Sequence, residues 1–326
     1  TNQNDLLEEI INKCDDIFVN HKIIKLYRGK LKYKKKKYFE TIEILKFLKF
    51  NNSEIIFEKA RLLNLAKSYD KIKSFDEAFD CFKKMNDLSL SNLSSDTIKI
   101  KYNEEIDNRK NYFKSIENIP WKETKLKYVE SPVFMIGFPR SGTTLLDSIL
   151  RSHTDIEVVE EKPMIEILIS NIKNFTNGNL KRLNELNDDN LKELRNVYFE
   201  KRKIYLENNS NSKIIIDKLP LNIIYVPEIL RVFPNARFIF SLRHPYDSVL
   251  SCYFQNFKLN SSMSNFLKLE DSANFYDTVM QLWTTYKKIF NPKVYELKYE
   301  DLIFSFENSV KKVLNFLEIE WKDDLY

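Results

Sequence analysis

Two of the chain's four glycines, Gly137 and Gly142, sit five apart in one loop, and that spacing constrains the fold more than any other feature. They belong to Pro132-Val-Phe-Met-Ile-Gly-Phe-Pro-Arg-Ser-Gly-Thr-Thr-Leu-Leu146, an apolar run that leads straight into a helix-forming segment. Glycine there lets main-chain N–H groups close around an anion with no Cβ in the way. A helix N-terminus behind the loop adds unpaired donors and partial positive charge. The segment therefore predicts a strand, a phosphate cradle at Gly142 and a helix. Arg140, Ser141, Thr143 and Thr144 supply the side-chain donors.

One missing residue narrows the kind of cradle. A nucleoside-triphosphatase loop reads G-x-x-x-x-G-K-S/T, with lysine on the terminal phosphates and a hydroxyl on magnesium. Here Thr143 stands where that lysine belongs, and the cation lies upstream at Arg140. Pro139-Arg-Ser-Gly-Thr-Thr-Leu145 after a strand resembles the 5′-phosphosulfate loop of sulfotransferases that use 3′-phosphoadenosine 5′-phosphosulfate (PAPS). An ordinary βα turn accounts for the glycines but not for the Arg-Ser-Gly-Thr-Thr run.

A PAPS site must also hold the 3′-phosphate. Phe238-Ile-Phe-Ser-Leu-Arg-His-Pro-Tyr-Asp-Ser-Val-Leu-Ser251 places Arg243 at a strand end, Pro245 at a helix start and Ser251 eight residues after the arginine. Eight residues is a little over two helical turns, so arginine and serine can face one anion. Sulfotransferases carry this R-x-P-x-x-x-x-x-S pattern at their second phosphate site. Tyr299-Glu-Asp-Leu302 resembles the family segment whose tyrosine lies beside the adenosine. Similarity is greatest to the protein-tyrosine branch and to bacterial enzymes that fuse tetratricopeptide helices to it. In that branch a catalytic glutamate follows the loop arginine by 21 residues, which lands on Glu161. A catalytic lysine precedes the second-site arginine by 25, which lands on Lys218. Glu160 is the neighbouring alternative for the base, and His244 a further contact for the nucleotide. His153 reads as a turn or capping residue, and His21 lies in the helical half. The chain departs from the protein-tyrosine branch at Pro163 and Gln255, where that branch has basic residues, and it lacks the branch's flanking cysteine pair. The acceptor therefore stays open among protein tyrosine, glycan and other hydroxyls.

Residues 1–118 read as helices, almost without glycine or proline. Ser53–Tyr69 and a segment starting at Phe75 resemble a tetratricopeptide helix pair. An upstream echo at an offset of 36 pairs Tyr33 with Tyr69, Phe39 with Phe75 and Ile42 with Ala78. Such repeats imply a protein partner; a plain helical bundle is the alternative. After Ile119-Pro120-Trp121 the pattern becomes short apolar strands (133–136, 213–216, 236–242, 294–297) alternating with helices (142–151, 220–232, 245–258, 272–290). The expected architecture is α/β. A three-layer, P-loop-like parallel sheet domain over 119–326 follows an all-α tetratricopeptide-like region over 1–118. Family members extend beyond the Y-E-D-L helix, so a chain ending at Tyr326 reads as truncated at its C-terminus.

Composition sets the remaining bounds. Charge is +5, from 52 basic and 47 acidic residues interspersed, which suits an anionic ligand without implying nucleic acid. Cys14, Cys81 and Cys252 are too dispersed for a zinc site or a disulfide framework. No apolar run approaches the roughly 18 residues of a membrane span, so the expected location is cytoplasmic. The reading is a metal-independent, PAPS-dependent sulfotransferase with Glu161 as base and Lys218 neutralising charge on the sulfuryl group. Arg140, Ser141, Gly142, Thr143, Thr144, Arg243, Ser251 and Tyr299 hold the donor. Two alternatives remain: a non-catalytic nucleotide-binding protein whose helical repeats recruit partners, and a kinase-like P-loop enzyme.

Overall fold

The structure, a computed structural model, describes residues 2–15, 21–91, 97–121, 130–206 and 212–322. The chain ends at Thr1 and Tyr326 lie outside these residues, as does the stretch that follows Trp121. By packing, the chain divides into two compact units, Thr1–Ile100 with Tyr253–Asp271, and Lys101–Cys252 with Ser272–Tyr326.

The first unit is helical: α1 (Asn2–Asp15), α2 (Lys22–Lys34), α3 (Tyr38–Lys46), α4 (Ile55–Lys71), α5 (Phe75–Ser91) and the first turn of α6 (Thr97–Lys114). Consecutive helices from α2 to α5 pack on one another. The hairpin repeats at 37 residues, not 36. Helices α2 and α4 end at Lys34 and Lys71, and α3 and α5 begin at Tyr38 and Phe75. Each intervening turn holds one lysine in the left-handed region, Lys36 (φ 60) and Lys73 (φ 64). In this register the buried small residues coincide, Gly29 with Ala66 and Thr41 with Ala78. A Cβ on Gly29 would stand 2.6 Å from Leu45, so close approach of α2 and α3 is what requires glycine there. Pairing by aromatic residues slips the register because Tyr33 and Tyr38 are spaced one residue closer than Tyr69 and Phe75. Residues 253–271 join this unit. Phe254 stacks on Phe82 with centroids 4.2 Å apart, and Asn86 donates to the Tyr253 carbonyl at 2.9 Å. The helix expected over 245–258 therefore stops at Tyr253.

The second unit takes the rest of α6 and runs β1 (Val133–Gly137), α7 (Thr143–Arg151), β2 (Ile156–Glu160), α8 (Met164–Thr176), α9 (Asp188–Lys203), β3 (Ile214–Lys218), α10 (Val226–Val232), β4 (Arg237–Leu242), α11 (Pro245–Tyr253), α12 (Leu269–Phe290), β5 (Lys293–Lys298), α13 (Tyr299–Phe304) and α14 (Phe306–Leu317). Helix α6 is tied into this unit by Arg109, whose buried guanidinium meets Glu228 at 2.7 Å, and by Phe113 edge-on against Tyr286. All five strands are parallel, in the order β2-β3-β1-β4-β5. Every residue of β1 is buried, as its apolar run requires of a central parallel strand. Helices α7 and α14 bury Leu146, Leu150, Val310, Val313 and Leu314 against β1, β3 and β4. Strand β2 was not anticipated: Ile156-Glu-Val-Val-Glu160 is a short edge strand with two acids and no clear alternation. Strand β3 runs two residues further than expected, because Asp217 and Lys218 are buried in its last turns of pleat despite their charge. The chain steps from β3 across β1 to β4, so the crevice of this α/β sheet opens at the carboxyl end of β1.

Candidate active site

The proposed catalytic and donor-binding residues lie at or just beyond the carboxyl ends of the strands or on the helices that follow them, with Ser251 two turns into α11. At the centre, β1 ends at Gly137, and residues 138–142 turn the chain into α7. A Cβ on Gly137 would stand 2.6 Å from the Ser241 carbonyl and 2.8 Å from Ser141 Oγ, so only glycine fits between β4 and the loop. Gly142 caps α7 in the left-handed region (φ 97), and a Cβ there would collide with the Tyr299 ring. Arg140 is also left-handed (φ 68), a conformation that costs a non-glycine residue on the order of 1–3 kcal/mol and clusters at functional sites. The first bond of the α7 ladder is donated by Leu146 to Gly142, which leaves the N–H groups of Thr143, Thr144 and Leu145 outside the ladder. Ser141 Oγ is buried with no hydrogen-bond partner among the described residues. Such a cradle fits an anionic group at its mouth.

Beyond β4, Arg243 bends back over this loop. Its guanidinium donates to the Arg140 carbonyl at 3.3 Å and lies 4.7 Å from the centre of the Tyr299 ring. Asp247, one turn into α11, is 3.7 Å away, and Arg243 Nε is buried with no hydrogen-bond partner among the described residues. Arg140 Nε donates to Ser251 Oγ at 3.0 Å, so the arginine of the loop and the serine of α11 already meet. The His244 N–H donates to Glu300, whose place beside Tyr299 couples α13 to the start of α11. Ser248 Oγ, on α11, is buried without a hydrogen-bond partner among the described residues, a group that sequence reading passed over.

On the other side of β1 the register sets Glu160 of β2 beside Lys218 of β3. Lys218 is fully buried, and its ammonium meets Glu160 Oε1 at 2.8 Å, Glu161 Oε1 at 3.2 Å and Asp147 Oδ2 at 3.6 Å. The backbone turns sharply after β2: Glu161 is left-handed (φ 49), and its N–H donates to the Lys218 carbonyl at 2.8 Å. That strain directs the Glu161 carboxylate towards Lys218 while leaving it 55% exposed. The hydrogen bond from Lys218 holds the Glu160 carboxyl below the usual carboxylate range. Sequence reasoning missed Asp147 and Arg151. Arg151 grips Asp147 through two bonds of 2.5 and 3.1 Å and reaches Glu160 at 3.3 Å. Their spacing of four on α7 was the available signal.

Three other groups lie apart from this chemistry. His153 is buried, with Nε2 against the Glu320 carbonyl and Nδ1 accepting from the Asp155 N–H, so it ties a turn to the C-terminal segment. Cys252 is buried against the Pro139 carbonyl, and burial pushes its thiol well above the ordinary range. Trp283 packs on Phe240 at 4.8 Å as a core residue. Among the described residues no group of His, Cys, Asp and Glu is arranged to hold a metal ion, and no helix is long and apolar enough to cross a membrane.

The chain is similar to several known proteins. The chain is 28% identical over 277 residues to an uncharacterized protein of Aquifex aeolicus, covering 79% of this chain and 34% of that one. It is 24% identical over 194 residues to the protein-tyrosine sulfotransferase of Drosophila melanogaster, covering 59% and 38% respectively. The chain thus spans little more than a third of either relative's length. Among solved structures, the sulfotransferase domain from the curacin biosynthetic pathway superposes with a TM-score of 0.41 at 17% identity, covering 61% of this chain and 77% of that one. The family model described as the Sulfotransferase family matches residues 132–323, more than half of the chain and all of the crevice described above, and the chain belongs to that family.

Proposed function

We propose that the chain moves the sulfuryl group of PAPS to an acceptor hydroxyl. The observation that supports this best is the pair of cations on opposite sides of one anion-binding turn: buried Lys218 on the β3 side and Arg243 on the β4 side, the latter in direct contact with the loop. In this reading Arg140 and the Ser141–Thr144 segment hold the 5′-phosphate, with the Gly142 turn bringing the free N–H groups to it. Arg243 and Ser251 hold the 3′-phosphate, and Tyr299 flanks the adenosine. The orphaned donors at Ser141 and Arg243 fit such a doubly charged nucleotide.

The chemistry follows from the Lys218–Glu161 pair. Glu161 accepts the proton of the acceptor hydroxyl as its oxygen bonds to sulfur. The sulfur–oxygen bond to the donor phosphate breaks in line, and Lys218 stabilises the charge that develops on the sulfuryl and bridging oxygens. Adenosine 3′,5′-bisphosphate and the sulfated acceptor result. Fixed cations and backbone donors in a partly dry site supply the electrostatic stabilisation. The catalytic unit in this reading is Lys101–Cys252 with Ser272–Tyr326, rather than a domain starting at 119, and the helical unit, Thr1–Ile100 with Tyr253–Asp271, carries a protein partner. The experiment is transfer of radiolabelled sulfate from PAPS to pooled tyrosine peptides, glycans and phenols. Transfer abolished by Glu161→Gln supports the reading, and transfer at the parental rate in that variant refutes the assignment of the base.

A further inference from the structure

We propose that Asp147 is a positioning residue that holds the Lys218 ammonium in register with the anion-binding loop, with Arg151 as its clamp. The inference rests on the role given to Lys218 above. Lys218 has no solvent exposure, and an ammonium removed from water needs charged partners to stay ionised. Three carboxylates surround it, but they are not equivalent. Glu160 and Glu161 are 47% and 55% exposed and sit at the end of an edge strand. Asp147 is 3% exposed and projects from α7, the helix that the loop opens into. It lies one turn after Thr143, and both are buried, so the two share the inward face of the helix.

Arg151 decides how Asp147 acts. Its Nε and Nη2 occupy Oδ1 and Oδ2, which fixes the carboxylate's orientation. Asp147 then attracts the ammonium at 3.6 Å without drawing on its N–H groups, two of which point to Glu160 and Glu161 at hydrogen-bond distance. With both cations counted, the five charges leave the cluster one unit negative. The ammonium has three N–H groups and the glutamates take two, so an arriving sulfuryl oxygen can take the third while Asp147 keeps the ammonium in place. Arg151 also binds Glu160, which steadies the second partner from the same helix.

The test needs no acceptor. Calorimetry gives the affinities for PAPS and for adenosine 3′,5′-bisphosphate, and their ratio isolates the contacts made to the sulfuryl group. Lys218→Met is expected to lower the preference for PAPS. Asp147→Asn should lower it in the same direction by about threefold to tenfold, the scale of coupling within one ion-pair network, with bisphosphate affinity little changed. Asp147→Glu should restore part of the preference. Should Asp147→Asn fail to fold, Arg151→Gln, at a half-exposed position, is expected to give the same shift at smaller size. A merely structural role predicts equal losses for both ligands. An unchanged ratio in Lys218→Met overturns the role of Lys218 itself. A ratio changed by Lys218→Met but not by Asp147→Asn or Arg151→Gln overturns the positioning role alone.

Discussion

Lys218 ends β3 and Arg243 follows β4, on either side of β1, yet the first is ringed by carboxylates while the second meets only one among the described residues, at longer range. Lys218 is fully buried and touches Glu160, Glu161 and Asp147. Arg243 is held by a backbone carbonyl, an aromatic face and one carboxylate at 3.7 Å, with Nε unpartnered among the described residues. A cation clamped by carboxylates, with one N–H left to give, can meet an arriving anion without leaving its place. It is therefore suited to a group whose charge changes during reaction. A cation with free donors on a rigid platform is suited to a permanent dianion. In the proposed reading, chemistry falls on one side of the loop and binding on the other.

The largest effect that can break this division is on turnover. Lys218→Met and Glu161→Gln should each lower the rate of sulfuryl transfer by about 10²–10⁴-fold, the usual cost of removing a proton-transfer or charge-stabilising group. Binding of adenosine 3′,5′-bisphosphate should survive both changes. Single-turnover rates with calorimetry read this out, and a variant that loses binding and rate in parallel would erase the contrast with Arg243.

Arg243→Ala should do the reverse. One charge-assisted contact is worth about 1.5–3 kcal/mol, so affinity for the bisphosphate should fall by roughly ten- to a hundredfold. AMP, lacking the 3′-phosphate, should be affected far less. Equal losses for the two nucleotides would remove Arg243 from the second anion site.

A third prediction sharpens the picture of the Lys218 strand. Asp217 points to the opposite face from Lys218, is buried, and accepts from Tyr198 at 3.2 Å. Burial pushes its carboxyl up to about 8. In the unfolded chain the same group titrates near 3.9. Between those values the folded protein binds the extra proton, so stability falls as pH rises from about 4 to about 8 and then levels off. Asp217→Asn removes that loss. Melting temperatures of the two proteins should diverge in favour of the variant across this window and run parallel above it. Parallel curves throughout would mean that Asp217 is ionised in the fold.

The smallest effect concerns strain. Glu161→Gly relieves a left-handed side chain but frees the unfolded backbone, so the net gain is expected below about 1 kcal/mol, or about 1–3 °C in melting temperature. The same variant should lose turnover. A fall in melting temperature would show that the Lys218–Glu161 contact outweighs the strain.

How much of this was legible in sequence follows from how local each feature is. The loop from Gly137 to Thr144 and the run from Arg243 to Ser251 are contiguous, so residue type and spacing carried them. Glu161 and Lys218 were reached by counting along a family pattern, and their meeting at 3.2 Å depends on β2 and β3 pairing in register. Strand β2 itself escaped notice because five residues with two glutamates look like loop. Its stability comes from lying on β3 rather than from its own composition. Asp147 and Arg151 were visible only as a helical ion pair, since the ammonium they serve comes from another strand. The helical repeat is similar: the conspicuous tyrosines, Tyr33 and Tyr69, are 36 apart, while the small buried residues that set helix approach repeat at 37. Nothing in the sequence near Phe254 reveals that it stacks on Phe82, so the return of residues 253–271 to the helical unit could be read only from packing.

The most direct test of two anion grips on one nucleotide is a calorimetric comparison of adenosine 3′,5′-bisphosphate with AMP on the unmodified chain, with a chelator present. The account predicts that the bisphosphate binds at least about tenfold tighter, the worth of one charge-assisted phosphate contact. Equal affinities, or binding that disappears with the chelator, would contradict it.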